Sequence, residues 1–405
     1  MNKLKLLSFC HSNPAMSETF ISDLLIDFYD QENTSVTFVS GSARGPSNVS
    51  FLDDVRLTGF SERSAFLARL INKILITQSL GCRAAMWVKK RISNFILDRE
   101  LGAEKFDVAY VDYLTTAVLV RENLERRCIP YVVHAHGYDI TSELSDSAYR
   151  INLALVFLGA FRIIAASDHI RRLLVLEGCD PKKILVVRYG IDNTNIQPMP
   201  WGDRFDRSPS IVFLGRLTGQ KHPVALLHAF KLVLDEFPEV ILKIIGDGPL
   251  KSDIETRVES LGISDSVKLL GALPRSQSFP ILNESCIYAQ HSVTARDGSQ
   301  EGFAISLAEA ALHQLPVVST FHNGIPGNVI PGETGYLVAE FDYENMAKKI
   351  LVLLRDRELI VKMGEAGRKH IVQLCSRKHR ADILSGVLFQ GVRNNVESGL
   401  IDTSN

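Results

Sequence analysis

Short apolar runs, each followed by a segment of helical length, recur along almost the whole chain of 405 residues. The runs are Leu4–Cys10, Val36–Ser40, Val108–Val111, Tyr131–Val133, Ile163–Ala165 and Ile184–Val187. A second series follows at Ile211–Leu214, Ile241–Ile245, Val267–Leu270, Ile287–Gln290, Val317–Ser319 and Tyr336–Val338. Strands that alternate with helices in this way require parallel sheets, so the predicted class is α/β with doubly wound domains. The chain is too long for one ordinary core, and two domains of roughly 190 residues each are expected. The Pro-rich polar stretch reads as the divider. It gives a first domain over 1–192, a linker over 193–209 and a second domain over 210–375. A last helix over 376–392 can cross back to the first domain, and residues 393–405 are expected to form a disordered tail.

Composition narrows the function. A net charge of -1 argues against a dedicated nucleic-acid binder. The six cysteines are scattered with no Cys-x-x-Cys, which suggests reduced core thiols and a cytoplasmic home. The N-terminus enters a strand directly without a signal-peptide layout. The longest apolar stretch, Leu153–Phe161, is too short to span a bilayer. Charge is uneven, however: Arg56–Arg99 carries nine Lys/Arg against two Asp/Glu. Two helix-like segments hold that excess. They are expected either to pack on a core with a solvated basic face or to meet an anionic membrane surface.

In a doubly wound domain, ligands bind where strands end and helices begin. The first such turn, after Cys10, has no glycine before Phe20, so the dinucleotide fingerprint is absent and no nicotinamide cofactor is expected. Ser17 is a plausible N-cap there. His134-Ala-His136-Gly-Tyr138-Asp139 sits at another strand end. Metal binding is set aside there, because no third His or Cys lies nearby and the i, i+2 spacing is read as sending the two rings to opposite faces. In the second half, Gly215, Arg216 and Lys221 follow a strand directly, where two cations can hold a diphosphate. Gly246 and Gly248 make only half a dinucleotide fingerprint, with Lys251 at the third glycine position, and read as a tight turn. Glu301 and Glu309 flank the start of an apolar helix. If both were helical they would differ by about 12 Å along the axis. Carboxylates acting on one bond stand roughly 5–9.5 Å apart, so these two suit one elongated ligand touched at two places. The amides of Gly302, Phe303 and Ala304 are expected to be the unpaired donors of that helix start, a seat for phosphate.

Glu301-x7-Glu309, Phe213–Leu217 with Lys221, the Gly246–Pro249 turn, and Leu315–Thr320 followed by Gly324–Pro326 resemble the donor domain of the family 4 retaining glycosyltransferases of GT-B fold. Ser17–Ile21, His136–Asp139 and Ser292–Gly298 are similar to bacterial exopolysaccharide enzymes of the colanic-acid type. The resemblance covers nearly the whole chain. It implies two Rossmann-like domains facing a central cleft. It also implies metal-independent transfer of a hexose, with retention, from a UDP- or GDP-linked sugar to a saccharide or lipid-linked saccharide, and no cofactor. Arg216 and Lys221 would hold the diphosphate, Glu309 the ribose, and Glu301 the transferred sugar. His136 would reach that sugar from the first domain, and Ser17, Glu18, Thr19, Tyr138 and Asp139 would serve the acceptor. His222 stands where the family often has Gly, Gly327 where it often has Glu, and Tyr189 where Asn is frequent. A nucleotide-sugar epimerase or hydrolase on the same fold, or a non-catalytic partner subunit, are the alternative readings. The enzyme is expected in the cytoplasm, with a peripheral position on the inner face of the membrane.

Overall fold

The computed structural model describes residues 3–11, 19–31, 33–42, 52, 54–58, 60, 63, 66 and 78–397. The chain forms two compact units, Met1–Gly190 with Arg377–Asn405, and Ile191–Ser376.

The first unit holds a parallel sheet of seven strands in the order β3-β2-β1-β4-β5-β6-β7. They are β1 Leu4–Cys10, β2 Thr34–Ser40, β3 Asp54–Leu57, β4 Val108–Asp112, β5 Tyr131–Ala135, β6 Arg162–Ala165 and β7 Ile184–Val186. Side chains alternate across the sheet, which explains why the strands are apolar throughout. Leu7, Phe9, Val111 and Val133 point to helices Gln78–Leu101, Leu114–Arg126 and Ser147–Gly159. Leu6, Phe38, Tyr110 and Val132 point the other way, to Thr19–Tyr29 and the last helix, Arg377–Glu397. That last helix belongs to the first unit and extends past the expected end at 392. Leu384 and Leu388 bury its inner face. Arg377 and Arg380 both bond Asp27, the latter at 3.1 Å. Residues 398–405 of the expected tail lie outside the described residues.

The second unit has six parallel strands in the order β10-β9-β8-β11-β12-β13. They are β8 Ser210–Leu214, β9 Ile241–Ile245, β10 Val267–Gly271, β11 Ile287–Ala289, β12 Val317–Thr320 and β13 Gly335–Val338. One face buries Phe213, Leu242 and Val318 against helices Pro223–Glu236 and Tyr343–Arg355. The other buries Val212, Tyr288 and Val317 against Ile305–Leu312. In each sheet the chain reverses its direction of winding once, at β1/β4 and at β8/β11. The carboxyl ends of those pairs are where a doubly wound sheet opens a crevice. None of Cys10, Cys128, Cys179, Cys286 and Cys375 is in a disulfide.

The stretch read as a linker contains a helix, Trp201–Phe205, and it carries a fully buried arginine. Its five residues are too few to show periodicity, which is why the sequence hid it. Arg204 donates to the carbonyls of Met199 (3.0 Å), Ser285 (3.4 Å) and His313 (2.8 Å), and its guanidinium lies 4.3 Å from the Trp201 ring centroid. Burial pulls it down to about 10. Replacing it strands three carbonyls and opens a cavity. Arg204→Ala is therefore expected to cost about 3 kcal/mol or more in urea unfolding. A loss under about 1 kcal/mol would contradict this account of the segment.

Candidate active site

At the β8/β11 switch point, two loops are pressed together by glycines. A Cβ on Gly246 would stand 1.9 Å from the carbonyl oxygen of Gly215, and one on Gly248 would stand 2.6 Å from that of Leu217. Only hydrogen fits there. The approach is sealed by Gly215 N–H donating to Ile245 (3.0 Å) and Leu217 N–H to Asp247 (2.9 Å). This explains the Gly-Asp-Gly-Pro turn without any cofactor. Gly215 itself has φ +157, and the Lys221 side chain lies across it, 2.9 Å from where a Cβ would be. Lys221 is thereby steered to Glu301, with Nζ 2.9 Å from Oε1. Glu301 is buried and Lys221 half-buried. Arg216 is exposed on the same loop, with no side-chain partner among the described residues. His222 adopts φ 38 and ψ 55, and its side chain accepts from the Ala225 amide, capping the helix it precedes. The left-handed conformation is the reason glycine suits this position.

The Glu301 loop is held by the segment after β12. A Cβ on Gly324 would meet the Gly302 carbonyl at 2.0 Å. Gly324 N–H donates to the Glu301 carbonyl (3.3 Å), while the Glu301 N–H donates to His322 Nε2 (3.2 Å). His322 Nδ1 donates in turn to Glu340 Oε1 (2.6 Å), whose other oxygen accepts from the Thr294 amide (2.9 Å). This fixes the tautomer of His322. Asn328 bonds the carbonyls of Phe303 and Ala304. The helix opens at Ile305, after Ala304 at φ 60, with no side-chain cap. The helix-start donors therefore lie not at Gly302, Phe303 and Ala304 but further along. The amides of Ile305 and Ser306 have no backbone partner among the described residues, and their side of the helix carries the positive end of its dipole. Glu309, a turn on and buried, is gripped through Oε1 by Arg275 Nη2 (2.8 Å) and Nε (3.0 Å). Arg275 begins a helix after β10. Neither Arg275 nor the His322–Glu340 pair is foreseeable from spacing. Only the Gly324–Pro326 motif beside His322 gives a signal.

In the first unit, Asp112 closes β4 and pairs in register with His134 on β5. His134 and His136 do not leave on opposite faces. Side chains two apart share a face of a strand, and the two rings lie 4.1 Å apart between centroids. Asp112, His134 and His136 place their ligand-capable atoms within 4.8 Å of one another, so the third ligand type comes from the neighbouring strand. The residues are nonetheless engaged with protein. His136 Nε2 pairs with Asp112 Oδ1 (3.1 Å) and Nδ1 with the Tyr189 hydroxyl (2.6 Å), while His134 Nδ1 meets the Tyr110 hydroxyl (2.7 Å). Burial, then the nearby Arg380 charge, pushes His136 down to about 3, so its ring is neutral at physiological pH. Tyr189, in the place of a frequent Asn, is thus the lid on His136.

Asp139 is fully buried rather than presented to a ligand. Its carboxylate accepts from the amides of Leu114 (2.9 Å), His136 (3.1 Å) and Gly137 (2.9 Å). It caps helix Leu114–Arg126 from a distance and fixes the loop that carries His136. Tyr138 is partly exposed and shares a 3.2 Å bond with Thr115. Ser17 and Glu18 lie outside the described residues, and Thr19 opens the first helix. The ring of Phe20, one residue on, sits 4.9 Å from that of His136.

Known proteins match both halves of the chain. Residues 202–370 match the family described as "Glycosyl transferases group 1", and residues 60–190 match "Glycosyl transferase 4-like domain". The chain is 30% identical over 216 residues to the putative colanic acid biosynthesis glycosyltransferase WcaL of Escherichia coli, covering 53% of each. It is 28% identical over 236 residues to the amylovoran biosynthesis glycosyltransferase AmsK of Erwinia amylovora, covering 58% of each. The matches thus span a little over half the length of these relatives. Among solved structures, Anabaena Alr3699/HepE in complex with UDP and glucose superposes with a TM-score of 0.72 at 16% identity, covering 95% of this chain and 99% of that one. Sucrose-phosphate synthase from Thermosynechococcus elongatus gives 0.75 at 15% identity, covering 96% and 99%. The fold is of the GT-B type, with two Rossmann-like parallel-sheet domains. The first half of the chain thus matches a glycosyl transferase 4-like domain and the second half a group 1 glycosyl transferase domain.

Proposed function

We propose that the protein is a hexosyltransferase that takes its sugar from a nucleoside-diphosphate sugar and passes it, with retention, to a growing saccharide of bacterial polysaccharide synthesis. The observation that carries this reading is the pairing of Lys221 with buried Glu301 and of Arg275 with buried Glu309 at one sheet rim. A diphosphate offers Lys221 a stronger partner than a single carboxylate, and Arg216 and the Ile305–Ser306 amides add positive potential beside it. Together they stabilise the charge that gathers on the leaving phosphate, so the reading needs no metal there. Freed from Lys221, Glu301 accepts from hydroxyls of the transferred sugar, while Glu309 keeps Arg275 and accepts from the ribose. The departing phosphate takes the proton of the acceptor hydroxyl as the new bond forms, on the face the phosphate leaves. The first unit serves the acceptor, and neutral His136 can bond a substrate only by giving up Asp112 or Tyr189. Two relatives act by name on phosphatidylinositol or its monomannoside, which supports a lipid-linked acceptor and work at the inner membrane face.

Arg216→Ala, at an exposed position, is expected to leave the unfolding midpoint in place and to lower turnover on saturating donor about 10²–10³-fold. Lys221→Ala should lose at least as much activity, with some stability lost too because Glu301 is left buried without its cation. Near-wild-type turnover in either variant would refute the diphosphate assignment. Release of nucleoside diphosphate at full rate without acceptor would favour the hydrolase alternative.

The two glutamates separate by ligand. In calorimetry, Glu309→Gln is expected to weaken the bare nucleoside diphosphate about 10–100-fold, and Glu301→Gln to leave it unchanged while transfer falls. His322→Ala should follow Glu301→Gln, because it releases the Glu301 amide and Glu340 but leaves the Arg275–Glu309 pair in place. Equal loss of nucleotide affinity in all three would contradict the two-point reading.

A further inference from the structure

The basic segment of the first unit is not built as a purely electrostatic surface. Lys90 is half-buried and pairs with Glu122 at 3.0 Å, and Asp98 is turned to Asn123 and Arg126. What helix Gln78–Leu101 offers to solvent is a stripe at i, i+4, i+8 and i+12: Trp87, Arg91, Phe95 and Arg99. Trp87 is 60% exposed and Phe95 70%. The Arg91 guanidinium lies 5.2 Å from the Trp87 ring centroid. Helix Ser147–Gly159 belongs to the same layer, packed on the same core. It has an outward stripe of its own with no charge on it: Ile151 at 67% exposure, Leu155 at 39% and Leu158 at 75%. Isolated exposed apolar residues are ordinary, but two stripes on neighbouring helices of one layer mark an interaction site.

We propose that the outward faces of helices Gln78–Leu101 and Ser147–Gly159 form a docking surface for a bilayer containing anionic lipid. Trp87, Phe95, Ile151, Leu155 and Leu158 would enter the headgroup–acyl boundary, and Arg91 and Arg99 would reach the lipid phosphates. The pattern fits that occupant. Aromatic and aliphatic side chains fill the plane of the interface, and the only formal charges within the stripes are cationic. Among the described residues no helix is long and apolar enough to cross a membrane, so the protein lies on the surface through this face. The inference rests on the lipid-linked reading of the acceptor. It differs from a basic-patch account in one respect: insertion of apolar groups carries the binding, and charge only assists.

Vesicles of phosphatidylcholine with one quarter phosphatidylglycerol test it by co-sedimentation of the full chain. At physiological salt the protein is expected to sediment with them, and a substantial bound fraction should persist when salt is raised to screen exposed charges within a few ångströms. The pair Ile151→Asp with Leu158→Asp should reduce binding about tenfold or more. Arg91→Ala with Arg99→Ala should reduce it less and remove most of the salt dependence. All four side chains face solvent, so the variants should keep the wild-type unfolding midpoint and nucleotide affinity. No sedimentation, or sedimentation unchanged by the aspartate pair, overturns the proposal. So does a wild-type dimer that the aspartate pair converts to monomer, since the face would then join two copies. Transfer to a water-soluble saccharide reads the proposed function separately: transfer without vesicle binding sinks only the surface, and vesicle binding without transfer sinks only the activity.

Discussion

Lys221 and Glu301 are far apart in sequence yet meet at 2.9 Å, and that meeting depends on backbone reaching backbone where no side chain fits. Gly246 lies on the Gly215 carbonyl and Gly324 on the Gly302 carbonyl. The first contact fixes the loop that sends Lys221 inward, and the second fixes the loop that carries Glu301. A methyl group at either glycine would collide with a carbonyl oxygen about 2 Å away, and the loops would have to part. Parallel strand order does the rest. Because β8 and β11 are neighbours that lead away in opposite directions, their loops open a crevice instead of covering one another.

Each buried carboxylate at this rim is held by a cation. Glu301 has its amide, carbonyl and carboxylate all engaged, through His322, Gly324 and Lys221 respectively. Glu309 is locked by Arg275. Such a site is largely built before ligand arrives, and binding exchanges partners more than it orders side chains. The first unit follows the same principle with different means. Asp139 spends its carboxylate on backbone amides, and Asp112, His136 and Tyr189 form a buried chain of neutral and charged partners.

Much of this was legible in the sequence, and the reasons for the rest are physical. Apolar runs of three to seven residues marked nearly every strand, because strands buried on both faces show no alternation to confuse the reading. The edge strand Asp54–Leu57 was not read, since its half-buried Asp54 and Arg56 pair with each other and mask the pattern. Helix Trp201–Phe205 was too short to see. The Gly215–Lys221 and Glu301–Glu309 motifs pointed to one rim because each is local and the fold brings strand ends together. What closes the site comes from elsewhere in the chain: Arg275, His322 and Glu340 have no spacing relation to the residues they hold. The placement of His134 and His136 on opposite faces failed on a rule of strand geometry, not on missing information. The charge count over Arg56–Arg99 located an unusual segment, but the pairing of Lys90 with Glu122 and the exposure of Trp87 and Phe95 are invisible in a sum of charges.

The central claim is that Lys221 and Glu301 are a ligand-free pair that a nucleotide sugar separates. A crystal structure with an unreactive nucleoside-diphosphate sugar tests it most directly. The account predicts Lys221 Nζ within hydrogen-bond distance of a phosphate oxygen and Glu301 turned to a hydroxyl of the sugar. A bound nucleotide sugar that leaves the Lys221–Glu301 pair intact, with its diphosphate elsewhere, would contradict it.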